Sequence, residues 1–475
     1  MVQNPRDVIK FGTDGWRAVI ADTFTFENLA VLAQAFSRWV KQDAVRIPGE
    51  PLRVAVGYDN RFLSRDFSRM VASILAANGI EVVLSDASLP TPALSLAVCE
   101  TKSVAGVVIT ASHNPPEYNG FKIKTAQGGG AGRNITDTVE SYIGTEEVSN
   151  TDFKKAAAEG RIKILDLKSS YLKFIKHYVN LKKIKTAKFR VVQDVMHGSG
   201  GTLLAEVLKG SSIKLELLRS DVNPGFGDSR PEPLPQYLGG LIAKMKKEKI
   251  DLGLVLDGDA DRVAAVLPGG EFLSPQKILA LLALHLWKNR GIRGGVIKTI
   301  CGTTMIDNMC KDNGIKLYET PVGFKYISDL MIKEQIIVGG EEAGGMGLPN
   351  YIPERDGILA GLLLLEMMVY EKKNIGKILE EVEKKYGRYY YDKTSIHLKG
   401  VVKSLDAVKK LPEVLGKKVI AVKDYDGVKL ELSDDSWIMV RASGTEPILR
   451  AYAESRSQKR TKDLLAYALE LAKTL

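Results

Sequence analysis

The strongest constraint on the fold is a regular alternation of two sequence patterns between residues 50 and 370. Short runs rich in valine and isoleucine alternate with longer segments whose apolar residues recur at helical spacing. This alternation is typical of α/β units built on parallel strands. The chain has 475 residues, about three times the length of a typical domain of roughly 150 residues, so several such units are expected.

The pattern changes after residue 385, where strand-like runs follow one another and a helix ends the chain. Strands with few helical crossovers are typical of an α+β domain. We therefore predict three similar mixed-sheet α/β domains followed by a smaller α+β C-terminal domain, all arranged around a central cleft. The expected domains cover residues 1–155, 156–265, 266–380 and 381–475.

Composition places the protein among ordinary globular chains, with 45% hydrophobic and 26% charged residues. Its three cysteines, Cys99, Cys301 and Cys310, form no C-x-x-C pair, which favours a reducing compartment over a zinc ribbon. The amino terminus lacks the apolar core of a signal peptide, so we expect a cytoplasmic protein. The most apolar stretch, Ile358–Tyr370, is shorter than the about 20 residues that a membrane helix needs. It predicts a buried helix with Asp356 as its N-cap, and no membrane partner.

The net charge of +10 makes anionic partners plausible, namely nucleic acid, acidic lipid or phosphorylated metabolites. The basic residues are scattered, and no aromatic residues interleave them as a platform for stacked bases requires. We therefore expect a small phosphorylated molecule and no nucleic acid as the partner.

The first segment that could carry chemistry is T-A-S-H-N-P at residues 110–115. It follows an apolar strand directly, so Ser112 lies at the carboxyl end of a parallel strand, where open α/β sheets build their sites. One interpretation is an ordinary turn in which Ser112 and Asn114 satisfy backbone groups. The other is a nucleophile or phosphate carrier at Ser112, with His113 or Lys122 as proton shuttle or charge stabiliser.

The second segment is D-G-D-A-D-R at residues 257–262, which again follows an apolar strand. Asp257, Asp259 and Asp261 alternate along a tight loop and can converge on one hard cation through oxygen ligands. A calcium loop is disfavoured because Arg262 occupies the position of the required glycine. Magnesium is the better fit, and a solvated acidic turn is the alternative.

Two further loops follow strands later in the chain. In G-G-E-E-A-G-G at residues 339–345, the glycines allow a close approach to a ligand and the glutamates can accept hydrogen bonds from sugar hydroxyls. In R-A-S-G-T-E-P at residues 441–447, a guanidinium, two hydroxyls and exposed amides form a phosphate cradle. A flexible acidic loop and an ordinary Ser-Gly turn are the respective alternatives.

These four loops, in this order and one in each expected domain, resemble those of the α-D-phosphohexomutase family. The resemblance also covers F-G-T-D-G-W-R at residues 11–17 and N-G-F-K at residues 119–122, and it extends over nearly the whole chain. It implies an isomerase that transfers a phosphoryl group within a hexose phosphate through a phosphoserine and a hexose 1,6-bisphosphate. Glucose 1,6-bisphosphate is the activator that this implies.

The resemblance implies a role for each matching position. Ser112 would carry the phosphate, which would bind Mg²⁺ together with Asp257, Asp259 and Asp261. The residues expected around the reacting phosphoryl group are His113, Lys122, Arg262 and Arg17. The residues expected to bind the sugar and the non-reacting phosphate are Thr320, Gly323, Lys325, Glu341, Arg441, Ser443, Gly444 and Thr445.

The segment T-P-V-G-F-K at residues 320–325 looks like one that phosphoglucomutases carry, and Glu341-Glu342 also favours glucose phosphate. Ala343 replaces a serine that usually touches a sugar hydroxyl, and Gly345 replaces a histidine of many phosphomannomutases. We expect a phosphoglucomutase, with phosphomannomutase or phosphoglucosamine mutase as alternatives, and a monomer or a homodimer.

Two more distant interpretations compete with a mutase. A strand followed by Asp257-Gly258-Asp259 superficially resembles haloacid dehalogenases, whose nucleophile is an aspartate, although Asp261 stands where Thr or Val is expected. The positive net charge would also suit a non-enzymatic anion-binding protein, whose binding should weaken steeply with salt and ignore Mg²⁺.

Overall fold

The computed structural model describes residues 4–398, 404–442 and 448–473. It contains four sheets that follow one another along the chain. The first three sheets are mixed and are packed against helices, whereas the fourth is antiparallel. The fold class predicted from the sequence is therefore confirmed.

The first domain contains one sheet of six strands. Its strands are β1 (Trp16–Val19), β2 (Arg53–Tyr58), β3 (Glu81–Ser85), β4 (Ala105–Ile109), β5 (Tyr118–Thr125) and β6 (Ile162–Leu165). Their order across the sheet is β1-β5-β4-β2-β3-β6. The helices are α1 (Pro5–Val8), α2 (Phe26–Gln42), α3 (Ser64–Ala77), α4 (Thr91–Glu100), α5 (Arg133–Ser141) and α6 (Phe153–Ala158).

The second domain repeats this plan on five strands. They are β7 (Arg190–Asp194), β8 (Lys214–Leu218), β9 (Leu252–Leu256), β10 (Val263–Val266) and β11 (Phe272–Leu273), in the order β11-β10-β9-β7-β8. The helices are α7 (Leu167–Tyr178), α8 (Leu181–Thr186), α9 (Leu203–Leu208) and α10 (Gly239–Lys247), with a 3₁₀ turn at Pro235–Tyr237.

The third domain has four strands and the longest apolar helix. The strands are β12 (Gly295–Thr299), β13 (Leu317–Thr320), β14 (Ile336–Gly340) and β15 (Met346–Gly347), in the order β13-β12-β14-β15. The helices are α11 (Pro275–Leu284), which continues into a π-helical turn at His285–Asn289, α12 (Thr304–Asp312), α13 (Phe324–Lys333), α14 (Gly357–Glu371) and α15 (Ile375–Tyr386).

The fourth domain is an antiparallel sheet of six strands with one long helix. The strands are β16 (Tyr390–His397), β17 (Glu413–Val414), β18 (Lys417–Lys423), β19 (Val428–Leu432), β20 (Trp437–Ala442) and β21 (Ile448–Ser455). Their order is β16-β21-β20-β19-β18-β17. The helices are α16 (Asp406–Lys409) and α17 (Gln458–Ala472).

The elements do not respect the three expected domain boundaries. β6 lies beyond residue 155 but pairs with β3 of the first sheet. Residue 265 lies inside β10, which pairs with β11 further along the chain, and residue 380 lies inside α15. An edge strand gains its main-chain hydrogen bonds from the sheet that it joins. The first sheet therefore includes residues as far as β6, and the second sheet includes residues as far as β11.

Helix α14 is the buried helix predicted from the most apolar stretch. Its N-cap is Asp356, whose side chain accepts a hydrogen bond from the amide of Leu359 at 2.8 Å. Twelve of its residues are buried, Glu366 among them, so all sides of the helix are covered by protein. Within the described part of the chain, the structure has no helix long and apolar enough to cross a membrane.

The topology brings several loops to one place. Ser112 follows β4, the loop with Asp257 follows β9, and Glu341 follows β14, so three strand ends face the same space. Arg441 at the end of β20 faces it from the fourth domain. The predicted central cleft is therefore present, with residues of all four domains in its wall.

Candidate active site

The cleft has a volume of about 770 Å³. Seven of the residues predicted for the site line it, and these are Arg17, His113, Arg262, Gly323, Lys325, Glu341 and Arg441. Ser112, Lys122 and the three aspartates lie behind this surface, each at most 1% exposed. The cleft therefore has an open mouth and a dry, strongly charged floor.

Ser112 connects the first domain to the second at this floor. Its hydroxyl donates a hydrogen bond to Oδ2 of Asp257 at 2.8 Å and lies 3.4 Å from Nδ1 of His113. Its backbone has φ of +53°, in the left-handed region that non-glycine residues rarely adopt. A serine held this way, beside carboxylates of another domain, is more constrained than one in an ordinary turn.

Asp257, Asp259 and Asp261 offer carboxylate oxygens that lie within 4.8 Å of one another, and all three are fully buried. Burial and the two neighbouring carboxylates raise the pKa of Asp257 well above its usual range. Among the described residues, Oδ1 of Asp259 and Oδ1 of Asp261 have no hydrogen-bond partner. Converging carboxylate oxygens, two of them without a hydrogen bond, fit a hard divalent cation such as Mg²⁺.

Lys122 reaches the same carboxylates from β5. Its Nζ lies 2.8 Å from Asp259, 3.3 Å from Asp261 and 2.8 Å from Asp14. Burial alone would lower the pKa of Lys122, but the three carboxylates outweigh it and raise the pKa above its usual value. Lys122 is therefore a fixed positive charge at neutral pH.

His113 has the opposite electrostatic environment. Burial, together with the nearby cations Arg262, Arg17 and Lys122, holds its pKa well below the usual histidine range. The imidazole is therefore neutral at neutral pH and can accept a proton. The sequence left His113 and Lys122 interchangeable as proton shuttle or charge stabiliser, and their pKa values are shifted in opposite directions, down for His113 and up for Lys122.

Two charged residues of the site were missed by the sequence analysis. Asp14 binds Lys122, Arg355 at 2.8 Å and Arg17 at 3.2 Å. Arg355 also lies 2.8 Å from Asp261 and 3.8 Å from Glu341. Asp14 lies inside the F-G-T-D-G-W-R motif, which could have revealed it, whereas Arg355 precedes α14 with no local signal of its function.

Comparison with known proteins decides the family. Models of the phosphoglucomutase/phosphomannomutase family match four successive segments, its α/β/α domains I, II and III at residues 8–150, 169–270 and 274–386 and its C-terminal domain at residues 398–471. A phosphoglucomutase/phosphomannomutase of Thermococcus kodakarensis is 30% identical over 462 residues, which cover 97% of this chain and 98% of that protein. The chain belongs to this family.

Other members of the phosphoglucomutase/phosphomannomutase family are similarly related. A phosphoglucosamine/phosphogalactosamine mutase of Sulfurisphaera tokodaii is 29% identical, with 96% of this chain and 97% of that protein covered. The crystal structure of a Thermus thermophilus protein assigned as a phosphomannomutase matches with a TM-score of 0.86 and 35% identity, covering 98% of this chain and 99% of that one. The protein is therefore an isomerase of the phosphohexomutase class, as the sequence predicted.

At Gly345 the cleft wall leaves no room for a side chain. A Cβ atom at Gly345 would overlap the side chain of Arg355, and Oε2 of Glu341 would lie 3.0 Å from it. The space beside residue 345 is thus filled by the aliphatic part of the Arg355 side chain. A residue larger than glycine at position 345 would therefore displace Arg355, which lines the cleft.

Glu341 lies at the same wall. Burial raises its pKa from 4.5 to about 7, in spite of the opposing charge of Arg355. Its carboxyl can therefore exchange a proton near neutral pH while it faces the cleft.

The remaining predicted sugar and phosphate residues behave differently from one another. Gly323 and Lys325 line the cleft, whereas Thr320 does not, and its hydroxyl donates to the carbonyl of Pro321 at 3.0 Å. Ser443, Gly444 and Thr445 lie outside the described residues. Arg441 lines the cleft, and its Nε donates to Asp426 at 2.6 Å.

Proposed function

We propose that this phosphohexomutase transfers a phosphoryl group between Ser112 and the hydroxyls at positions 1 and 6 of a hexose phosphate. The observation that carries the proposal is the hydroxyl of Ser112, held 2.8 Å from Asp257 at the floor of a cleft lined with cations. Phosphoryl transfer needs positioning and neutralisation of charge more than covalent assistance, and this floor offers both.

In the forward half-reaction the bond between Ser112 Oγ and phosphorus breaks as a sugar hydroxyl oxygen binds the phosphorus. The proton of that hydroxyl would pass to His113, which is neutral at neutral pH because its pKa is held low, and whose Nδ1 lies 3.4 Å from Ser112 Oγ and would return the proton to the departing seryl oxygen. Lys122 and Arg262 supply fixed positive charge where the equatorial phosphate oxygens develop negative charge. The second half-reaction reverses these steps at the other end of the sugar.

Asp257, Asp259 and Asp261, with the phosphate on Ser112, would hold Mg²⁺. When bound there, the ion would neutralise negative charge on the phosphate as it is transferred. The unpartnered oxygens of Asp259 and Asp261 support this assignment.

Between the two half-reactions the bisphosphate must turn around, so one site must hold the non-reacting phosphate in either orientation. Arg441 and Lys325 are the cleft-lining cations that we assign to it, together with Ser443, Gly444 and Thr445. Glucose 1,6-bisphosphate would phosphorylate Ser112 and so start the cycle.

For the sugar, we propose glucosamine phosphate as the first substrate to test, ahead of the glucose phosphate that the sequence favoured. The phosphoglucosamine/phosphogalactosamine mutase of Sulfurisphaera tokodaii is about as similar to this chain as the phosphoglucomutase/phosphomannomutase above. Glu341 and Glu342 also offer adjacent carboxylates, which bind an ammonium group more strongly than a hydroxyl.

The phosphocarrier is tested by incubating the protein with ³²P-labelled hexose 1,6-bisphosphate and Mg²⁺. We expect acid-stable label on Ser112, and no label on the Ser112→Ala variant. A hydroxylamine-labile label on Asp257 would instead indicate the aspartyl phosphatase alternative.

The substrate is tested by the ratio of kcat/KM for glucosamine 1-phosphate, glucose 1-phosphate and mannose 1-phosphate, each with a trace of its bisphosphate. If Glu341 binds the ammonium group, Glu341→Gln should lower kcat/KM for glucosamine 1-phosphate more than for glucose 1-phosphate. Equal losses would return glucose phosphate to first place.

A further inference from the structure

Arg61 lies directly beneath the loop that carries Ser112, at the N-terminal side of α3. It is 3% exposed, and each of its two terminal nitrogens donates to two backbone carbonyls. The acceptors are the carbonyls of Ser112 at 2.8 Å, Asn114 at 2.6 Å, Pro115 at 2.7 Å and Tyr118 at 3.0 Å. One planar side chain therefore gathers four carbonyls of a single loop.

The charge of Arg61 is balanced from within the first domain. Its Nε lies 3.3 Å from Oδ2 of Asp59, and the same oxygen accepts a hydrogen bond from the hydroxyl of Thr110 at 2.5 Å. The Thr110 hydroxyl in turn accepts the amide of Ser112 at 2.9 Å. Asp59 is thus linked through Thr110 to the amide of Ser112, and Arg61 is hydrogen-bonded to the carbonyl of the same residue.

The neighbouring residue makes the matching contacts to the second domain. Nδ2 of Asn60 donates to the carbonyls of His197 at 3.0 Å and Gly198 at 2.9 Å. The amide of Ser199, the next residue in that loop, donates to the carbonyl of Gly258, which stands between Asp257 and Asp259 in the metal loop, residues 257–262. A Cβ at Gly258 would overlap the carbonyl oxygen of Ser112, so the two loops are in direct contact.

These contacts bear on the chemistry because Ser112 has a costly backbone conformation. A non-glycine residue at positive φ is strained and persists only where its surroundings hold it in place. Four carbonyls pointing at one place also repel one another unless a cation lies between them. Removing the guanidinium should therefore let the loop relax and move the serine hydroxyl.

We infer that Arg61 is a positioning residue for phosphoryl transfer, which fixes the seryl oxygen against the carboxylates of the second domain. Asn60 assists by docking the 197–199 loop, which supports the metal loop from behind. The inference rests on the proposed phosphocarrier role of Ser112. It concerns how that oxygen is held, since Arg61 is buried and is not among the described residues that line the cleft.

The decisive variant is Arg61→Lys, which keeps the positive charge but loses the planar fork. A single ammonium nitrogen cannot satisfy four carbonyls in these positions. In a single-turnover measurement with labelled hexose 1,6-bisphosphate, we expect Ser112 phosphorylation to slow about 100-fold, as a displacement of reacting atoms by about 1 Å produces. The KM for the hexose phosphate should change less than about twofold.

The matched control is Arg65→Lys, because Arg65 lies four residues further along the chain, in the first turn of α3, and is exposed. This variant should match the wild type in every measurement. Asn60→Ala leaves the four carbonyl contacts in place and removes only the contacts to the second domain. We expect it to slow phosphorylation about tenfold with KM unchanged.

A purely structural role predicts a different result. In that case Arg61→Lys would lower the melting temperature and the folded fraction, but the rate per folded molecule, measured well below the melting temperature, would equal that of the wild type. That outcome overturns the inference. If Arg61→Lys does not fold, the Asn60→Ala variant decides, and wild-type phosphorylation in it overturns the inference as well.

Failure of the proposed function is distinguishable from failure of this inference. If wild-type protein takes no phosphate on Ser112, the phosphocarrier is wrong and the positioning role falls with it. If the wild type is phosphorylated and Arg61→Lys is equally fast, only the positioning role is wrong.

Discussion

The two ends of the cleft are built in contrasting ways. At the reacting end, Ser112, Lys122 and Asp259 are each at most 1% exposed, and Lys122 contacts Asp259 across a domain boundary. At the opposite end, the Arg441 side chain is 26% exposed, and Lys393, also in the cleft wall, is exposed. One end excludes water and the other remains hydrated.

The difference follows from what each end must do under the proposed function. Fixed charges in a water-excluded site stabilise a transition state strongly, because they need no reorganisation as charge develops. A site that receives a phosphate from either end of the sugar gains less from such rigidity. Arg441 is nevertheless held by Asp426, which also accepts the amide of Val322 at 2.7 Å and so links the third and fourth domains.

The largest effect should come from Asp257→Asn at the reacting end. This carboxylate accepts the hydrogen bond of Ser112 and is also one of the proposed metal ligands. Its loss should lower kcat by at least about a thousandfold. The same change removes one of three crowded buried charges, so the metal-free variant should melt at a higher temperature than the wild type.

Calorimetry with and without Mg²⁺ checks both statements. The wild type should gain stability from Mg²⁺ and the variant should gain less. A variant that is less stable without metal, or that responds to Mg²⁺ as the wild type does, would contradict the view that this end is organised around a cation.

At the hydrated end, Arg441→Met should act on binding and not on chemistry. Loss of a charge-assisted hydrogen bond to phosphate costs about 1.5–3 kcal/mol, so KM for the hexose phosphate should rise about 10- to 100-fold with kcat changed much less. Steady-state kinetics give the two constants, with the exposed Lys418→Met on β18 as control. An equal loss in kcat would remove the distinction between the two ends.

Much of this contrast was readable from the sequence, because it depends on local patterns. The alternation of strands and helices predicted the order of the domains, and apolar strands running into Ser112 and Asp257 predicted a site at which these two residues do meet. Periodicity also found α14 and its cap at Asp356, since an apolar run with an acidic residue before it is a local signal.

The parts that the sequence did not reveal depend on contacts between distant segments. Arg355 donates to Asp14, 341 positions away, and no local pattern in the sequence indicates that these two residues pair. Thr320 lies in a motif from which we predicted substrate binding, but its hydroxyl donates to the carbonyl of the next residue, Pro321. Pairing of β6 with β3 likewise depends on tertiary structure, so the first domain extends past a polar segment that looked like its end.

Gly345→Ala tests whether the cleft wall around Gly345 and Arg355 is as rigid as the reacting end. The added methyl group must displace Arg355, which contacts Asp14 and Asp261, so kcat/KM should fall about tenfold or more. Gly239→Ala is the matched control, since a Cβ there meets nothing within 4 Å. The double variant Gly345→Ala/Arg355→Lys should lose less than the product of the two single losses, as expected for neighbours in one network.

The smallest effect concerns Glu341, whose pKa is raised by burial from 4.5 to about 7. A carboxyl whose pKa is higher in the folded than in the unfolded state stabilises the fold fully below about pH 4.5, and this contribution is lost as the pH rises through about 7. The difference of about 2.5 pKa units corresponds to on the order of 3 kcal/mol. Glu341→Gln lacks this titration.

The melting temperature of the wild type relative to Glu341→Gln should therefore fall by a few degrees between pH 5 and pH 8, as differential scanning fluorimetry without ligand would measure. The direction matters for the comparison of the two ends. A difference that does not change with pH would mean that Arg355 keeps the carboxylate fully ionised, as Lys122 does for Asp259. The carboxylate of Glu341 would then be a fixed charge like those of the reacting end, and the hydrated part of the cleft would begin only at Arg441.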